Sequence, residues 1–171
     1  VEAFNKVLSI EPEYAEAHYN IGVAFQEQGK FEDAIEAYKK YISIVPNNAF
    51  AYYNLGNVLQ KQDKFNYAID AYNEAIKINP NYAEAYCNLG VALKSQGMLK
   101  EAIEAYKKSI LLKPSYYEAY QNMGLTLLDQ NNPCEAIESF KKVISIKPND
   151  YEAYNNLGVT LKNQEKLDES I

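Results

Sequence analysis

The chain has 171 residues, of which 47% are hydrophobic, and this length and composition suit one sizeable core or one extended array of repeats. No apolar run approaches the roughly 18 residues that a transmembrane helix needs, so we expect no membrane partner. The net charge is −6 and all 17 basic residues are lysine, which argues against a nucleic-acid-binding surface.

An internal repeat of 34 residues runs through the whole chain. Glycine, proline and alanine each recur at this spacing, and every such alanine is followed by isoleucine. The recurring residues are Gly22, Gly56, Gly90, Gly124 and Gly158; Pro12, Pro46, Pro80, Pro114 and Pro148; and Ala34, Ala68, Ala102 and Ala136. A fixed period of this length indicates stacked copies of one supersecondary unit.

In chain order, the period predicts a partial repeat, four full repeats and a second partial repeat. The predicted ranges are 1–14 (a second helix only), 15–48, 49–82, 83–116, 117–150 and 151–171. The chain starts without methionine and ends inside a repeat, so we expect it to be a piece of a longer protein. Without polar capping repeats, both ends should expose apolar side chains, namely Phe4, Val7, Ile10, Leu157, Leu161 and Ile171.

Each full repeat reads as two amphipathic helices. In the second repeat, apolar and aromatic residues recur at steps of three and four, first from Tyr52 to Leu59 and then from Phe65 to Ile76. Lys64 and its neighbours mark the turn inside the repeat, and Pro80 marks the turn that leaves it. In the fourth repeat, Asn132 and Pro133 predict an N-cap followed by proline at the first helical position.

This pattern resembles the tetratricopeptide repeat over the whole chain. The second repeat matches that family's signature with Tyr52, Leu55, Gly56, Leu59, Ala68, Tyr72, Ala75 and Pro80. Tyrosine, or once His18, stands where the family often has tryptophan. The resemblance implies an all-α fold, a right-handed superhelix of stacked antiparallel helix pairs whose first helices line a concave groove.

The glycines of the first helices have a packing explanation. A glycine in a helix interior is destabilising by about 0.5–1 kcal/mol relative to alanine, so a compensating role is expected. We predict that these glycines leave space for the second helix of each pair, and that Gly56→Leu destabilises the fold by about 1–3 kcal/mol or more. Gly29 and Gly97 fall in the turns inside their repeats instead.

No catalytic, metal or cofactor site is predicted. The one histidine, His18, occupies a packing position that tyrosine fills in the other repeats. Cys87 is expected on the groove side, in the column of Tyr19 and Tyr53, and Cys134 starts a second helix. Cys87 has no histidine or arginine nearby in sequence to favour a thiolate, and although the helix dipole would favour one at Cys134, we expect neither a nucleophilic nor a redox role. The carboxylates recur with the period, which is typical of a solvated surface.

By the resemblance, a column of asparagines points into the groove. The candidate peptide-binding residues are Asn20, Asn54, Asn57, Asn88, Asn122, Asn156, Tyr19, Tyr53, Lys61 and Lys94. An asparagine amide can donate to and accept from an extended peptide backbone. The column is similar to the asparagine ladder of O-linked N-acetylglucosamine transferase-like proteins. The alternative is that these amides hydrogen-bond between adjacent repeats, and the sequence leaves both interpretations open.

We therefore expect a non-catalytic protein–protein interaction module that binds an extended peptide or a partner helix. Six acids against three lysines at predicted groove positions favour a neutral or basic peptide. Two alternatives stay open: the substrate-recruiting region of a larger enzyme such as a glycosyltransferase, and a scaffold that self-associates end to end. Two cysteines without disulfide or metal spacing indicate an intracellular, cytoplasmic location.

Overall fold

The computed structural model describes residues 1–168, with side chains through residue 164. The last three residues of the predicted repeat 151–171, which include Ile171, lie outside the described residues. The described part is all-α, as expected, and contains no strand. Its helices are α1 Glu2–Ile10, α2 Ala15–Glu27, α3 Phe31–Ile44, α4 Ala49–Lys61, α5 Phe65–Ile78, α6 Ala83–Ser95, α7 Leu99–Leu112, α8 Tyr117–Asp129, α9 Pro133–Ile146 and α10 Tyr151–Asp168.

The chain forms two compact units, residues 1–88 and the residues from 89 onward. In the first unit, α1 packs against α2, α2 against α3, α3 against α4 and α4 against α5. In the second unit, α7 packs against α8, α8 against α9 and α9 against α10. No helix in the described part combines the length and apolarity needed to cross a bilayer.

The turns inside the four full repeats share one backbone geometry. A residue with positive φ follows each first helix: Gly29 at 72°, Asp63 at 55°, Gly97 at 75° and Asn131 at 58°. In the first of these turns, Lys30 N donates to the carbonyl oxygen of Phe25 at 2.9 Å, and Gly29 N donates to that of Gln26 at 3.1 Å. These two bonds define a Schellman motif, which satisfies carbonyls at the helix end and reverses the chain into the second helix.

The predicted role of the helix glycines is confirmed at four of the five positions. A Cβ built at Gly22, Gly56 or Gly90 would lie 2.8, 2.6 or 2.5 Å from a ring carbon of the tyrosine sixteen residues later. At Gly124 the corresponding ring is Phe140, at 2.6 Å. Gly158 is the exception, since nothing lies within 4 Å of its Cβ position. In the described part of α10, no second helix packs on this face.

Each of these aromatic rings is fully buried. The core of each unit therefore contains aromatic rings that pack directly against glycines. These rings are Tyr38 and Tyr72 in the first unit and Tyr106 and Phe140 in the second. The predicted start of α9 is also confirmed: Asn132 Oδ1 accepts from Glu135 N, and Pro133 is the first helical residue. The helix pairs thus place the first helices, and with them the asparagine column, at fixed positions.

Candidate functional site

The candidate residues lie mainly on the first helices of the repeats. Helices α2, α4 and the start of α6 carry those of the first unit: Asn20, Asn54, Asn57, Asn88, Tyr19, Tyr53 and Lys61. The second unit holds Lys94 on α6, Asn122 on α8 and Asn156 on α10. The structure brings some of these residues into direct contact within each unit.

Two asparagines of the first unit bind the preceding repeat in the same way. Asn54 Nδ2 donates to the Tyr19 hydroxyl at 2.8 Å, and Asn88 Nδ2 donates to the Tyr53 hydroxyl at 3.2 Å. Both pairs are 35 residues apart. These two amides therefore hydrogen-bond between adjacent repeats, as the alternative interpretation predicts. Asn54 Oδ1 accepts no hydrogen bond from the described residues. A single amide can therefore bind the preceding repeat and still pair with a peptide.

Asn57 has a different environment from the rest of the column. Its Oδ1 accepts from Asn88 Nδ2 at 2.8 Å and from the Tyr72 hydroxyl at 2.9 Å. The Tyr72 hydroxyl also lies 3.2 Å from Gln60 Oε1. Because both acceptor positions of its carbonyl are used, Asn57 links the ring in the core of one repeat to the column residue of the next.

Tyr53 and Tyr72 in this network stay neutral at physiological pH. Burial raises the pKa of Tyr53, the Glu84 carboxylate adds to the rise, and hydrogen bonds with Asn57 and Asn88 oppose it. Burial also raises the pKa of Tyr72. Neutral hydroxyls can both accept from the asparagine amides and donate in turn.

The remaining candidates of the first unit and Lys94 occupy varied surroundings. Asn20 is exposed. Lys61 Nζ lies 5.7 Å from the centre of the Phe31 ring, a cation–π contact. Lys94 Nζ pairs with Asp129 Oδ2 at 3.1 Å. The two candidate lysines are thus held by side chains of the protein itself.

The second unit contains polar side-chain atoms that are buried without a partner among the described residues. These are Asn156 Nδ2 and both polar atoms of the Gln121 amide. Asn156 follows Gln121 by 35 residues, the same separation as in the Tyr19–Asn54 pair. Asn122 is half-buried, and its carbonyl oxygen accepts from the Thr126 hydroxyl at 2.8 Å. Buried unpaired amide groups are rare in proteins, since each is destabilising.

Two aromatic residues beside the column, Phe50 and Tyr82, were not among the predicted site residues. Phe50, at the start of α4, is 61% exposed, and its ring centre lies 5.3 Å from that of Tyr82. Tyr82 in turn lies 4.9 Å from Tyr53. The sequence does carry a signal for this cluster, because Phe50 occupies a position where every other repeat has glutamate.

The histidine and the two cysteines, which were considered as possible catalytic residues, lie in surroundings that suit a structural role. His18 Nε2 donates to the carbonyl oxygen of Pro12 at 2.9 Å. Cys87, which was expected on the groove side, is buried at 2% exposure. Cys134 is exposed, and Gln164 Nε2 lies 3.6 Å from its Sγ. The described residues contain no cluster of three or more side chains suited to a metal ion.

Comparison with known proteins gives consistent matches. A family model described as TPR repeat matches residues 1–29, 24–63, 61–97 and 124–165, and one described as Tetratricopeptide repeat matches residues 83–116. The crystal structure of MamA is similar with a TM-score of 0.84 and 36% identity, over 88% of this chain and 88% of that chain. No curated protein sequence matches.

Two further solved structures share the fold. MamA from Desulfovibrio magneticus matches with a TM-score of 0.81 and 26% identity, over 86% of this chain and 84% of that chain. YrrB, described as a TPR protein with an unusual peptide-binding site, matches with a TM-score of 0.80 and 27% identity, over 89% of this chain and 78% of that chain. These matches confirm the expected fold class, an all-α solenoid of antiparallel helix pairs.

Proposed function

Because the chain belongs to the tetratricopeptide repeat family, we propose that it is a non-catalytic interaction module that binds an extended peptide or a partner helix along its first helices. The peptide-binding site in the description of YrrB supports this function. The observation that carries the proposal is the anchored asparagine column of the first unit, in which Asn54 and Asn88 each donate to a tyrosine of the preceding repeat.

The anchoring prepares the amides for a ligand. Each hydrogen bond to tyrosine uses one of the two N–H donors of the amide, and Asn54 keeps its Oδ1 and its second N–H for a peptide backbone. A side chain already fixed in one rotamer loses little further entropy when a ligand binds. The column then works as a similar ladder does in O-linked N-acetylglucosamine transferase-like proteins, by pairing with the peptide backbone.

The second unit supports the same function because it continues the asparagine column with Asn122 on α8 and Asn156 on α10. The ligand is a neutral or basic peptide, in keeping with the net charge of −6. Neither Cys87 nor Cys134 is part of a disulfide, which fits a reducing, cytoplasmic location.

The double variant Asn54→Ala, Asn88→Ala tests the proposal. Peptides are first selected from a random library on the wild-type chain, and their affinities are then measured by fluorescence polarisation. The variant should bind them about tenfold more weakly or worse, since two backbone hydrogen bonds are lost at about 0.5–1.5 kcal/mol each. Its melting is followed in parallel, because the bonds to Tyr19 and Tyr53 are lost too.

The matched control changes two asparagines away from the column. Asn66 and Asn73 are exposed on α5, and the variant Asn66→Ala, Asn73→Ala should retain wild-type affinity. Equal affinity of the wild type and the Asn54, Asn88 variant, with both folded, would show that the column binds no peptide.

Self-association is a second candidate function, favoured by the exposed apolar side chains of α10. Tyr154, Val159 and Leu161 are exposed there, and Ile10 is exposed at the end of α1. We expect α10 of one copy to pack on α1 of another at high concentration, with apolar burial as the driving force. This end-to-end contact would make the chain a scaffold.

Sedimentation velocity over a wide concentration range checks this association. The wild type should show growing oligomers, and Val159→Lys should stay monomeric because a lysine in the contact would be desolvated. Leu111→Lys, at another exposed apolar residue on α7, is the control and should associate as the wild type does. A wild type that sediments as a monomer throughout would contradict the proposal.

A further inference from the structure

The start of α4 differs from the start of every other first helix. It carries Phe50, whereas the equivalent residues of the other repeats are Glu16, Glu84, Glu118 and Glu152. An acid at this place stabilises the helix N-terminus through the macrodipole. A phenylalanine gives no such stabilisation and leaves a large ring 61% exposed. The substitution therefore calls for a reason outside the stability of α4.

The ring of Phe50 packs on the aromatic rings next to it. It packs on Tyr82 at a centroid distance of 5.3 Å with an interplanar angle of 52°. Tyr82 is buried and packs on Tyr53 at 4.9 Å. Tyr53 accepts the hydrogen bond of Asn88, so the aromatic cluster is continuous with the asparagine column. Phe50 thus presents a fixed, partly open aromatic surface at the edge of the column.

A negative charge lies beside this cluster. Glu84 is half-buried in the first turn of α6, two residues after Tyr82. Burial is the main cause of the raised pKa of Tyr82, and the Tyr53 hydroxyl and the Glu84 carboxylate add to it. Lys61, the candidate lysine on α4, lies at the opposite end of that helix, about 16 Å away at 1.5 Å per residue. Its ammonium is over the Phe31 ring.

We propose that Phe50, Tyr82 and Glu84 form a subsite for a cationic side chain, arginine or lysine, of the bound peptide. The cation would stack on the open surface of Phe50 and pair with the Glu84 carboxylate. This subsite rests on the proposed function, since it selects among peptides held by the column. It adds sequence selectivity that backbone pairing with asparagines lacks.

The first unit already uses the same contact within itself. Lys30 Nζ lies 5.7 Å from the Phe25 ring centre, and Lys61 lies at the same distance from Phe31. Among the described residues, no lysine lies over Phe50. The N-terminal end of α4 carries a partial positive charge of about half a unit, which disfavours a cation. The full negative charge of Glu84 opposes this effect.

The test is an NMR titration of the full chain with three blocked peptides that differ only in the central residue. The probes are acetyl-Gly-Ser-Gly-Xaa-Gly-Ser-Gly-amide with arginine, leucine or glutamate at Xaa. The arginine probe should shift the Phe50 and Tyr82 ring resonances and bind about fivefold more tightly than the leucine probe. Phe50→Leu, which keeps apolar bulk on Tyr82 but removes the ring, should abolish this preference.

Two further variants complete the test. Glu84→Gln should also reduce the arginine preference, whereas Tyr67→Ala, which removes an exposed aromatic ring from α5, should leave it unchanged. The subsite is refuted if the leucine or glutamate probe binds as tightly as arginine, or if Phe50→Leu keeps the preference. If all three probes then shift the side-chain amide resonances of Asn54 and Asn88 equally, the proposal that the column binds peptides would still be supported. Arginine-specific shifts at Phe50 without any at those amides would support the subsite and contradict the ladder.

Discussion

Gly56→Ala is expected to destabilise the fold by about 1–3 kcal/mol or more, although it adds a single methyl group and raises helix propensity. The new Cβ would lie 2.6 Å from Cε1 and 2.8 Å from Cδ1 of Tyr72, far inside van der Waals contact. The ring cannot move aside easily, because it is fully buried and its hydroxyl is hydrogen-bonded to Asn57 and Gln60. Urea denaturation followed by circular dichroism measures the change.

Gly158→Ala is the matched control, and its effect should have the opposite sign. The same substitution is made at the equivalent position of a first helix, but nothing lies within 4 Å of the new Cβ. The remaining effect is the higher helix propensity of alanine than of glycine, so the variant should be more stable by up to about 0.5–1 kcal/mol. If both variants shifted stability in the same direction and by similar amounts, close approach of the ring would not be the reason for the glycines.

Phe140→Tyr should destabilise the second unit by about 1–3 kcal/mol, although tyrosine occupies the equivalent place in three other repeats. In the second repeat the tyrosine hydroxyl meets Asn57 and Gln60. The residues equivalent to those two partners in the fourth repeat are Leu125 and Leu128, which pack against the cluster containing Phe140. A hydroxyl introduced there would be buried without a hydrogen-bond partner.

Introducing a hydrogen-bond partner for the tyrosine hydroxyl should restore the lost stability. The double variant Leu128→Gln, Phe140→Tyr recreates the pair that Gln26 and Tyr38 form in the first repeat, at 3.0 Å. A double-mutant cycle from urea denaturation should therefore give a favourable coupling free energy between the two substitutions. Additive effects would mean that the hydroxyl finds another partner, and that the leucines do not decide the identity of the ring.

Much of the fold could be predicted because it depends on periods within the sequence. The 34-residue spacing gives the number of helix pairs, and apolar residues three and four apart give the buried face of each helix. Asn132 and Pro133 correctly mark the start of α9. The sequence locates turns inside the repeats, but it does not show that they share a residue with positive φ. Asp63 and Asn131 adopt the same positive φ as Gly29 and Gly97, since asparagine and aspartate tolerate this conformation better than most side chains.

The candidate site was less accessible to sequence reasoning because its contacts join residues of different repeats. The Tyr19–Asn54 bond depends on how far one repeat is displaced and rotated from the next, and no period within one helix encodes this. The displacement between repeats also places Asn57 between Tyr72 and Asn88, where its carbonyl serves the fold.

The ring-and-partner pairs restrict how such an array can change by recombination between its own repeats. An exchange at a turn between repeats moves both helices of a pair together, so Tyr72 stays with Gln60 and Phe140 stays with Leu128. An exchange at the turn inside a repeat would join the first helix of one pair to the second helix of another. Some hybrids would then bury a tyrosine hydroxyl against two leucines. The unit of duplication that preserves stability is therefore the whole helix pair, cut between repeats.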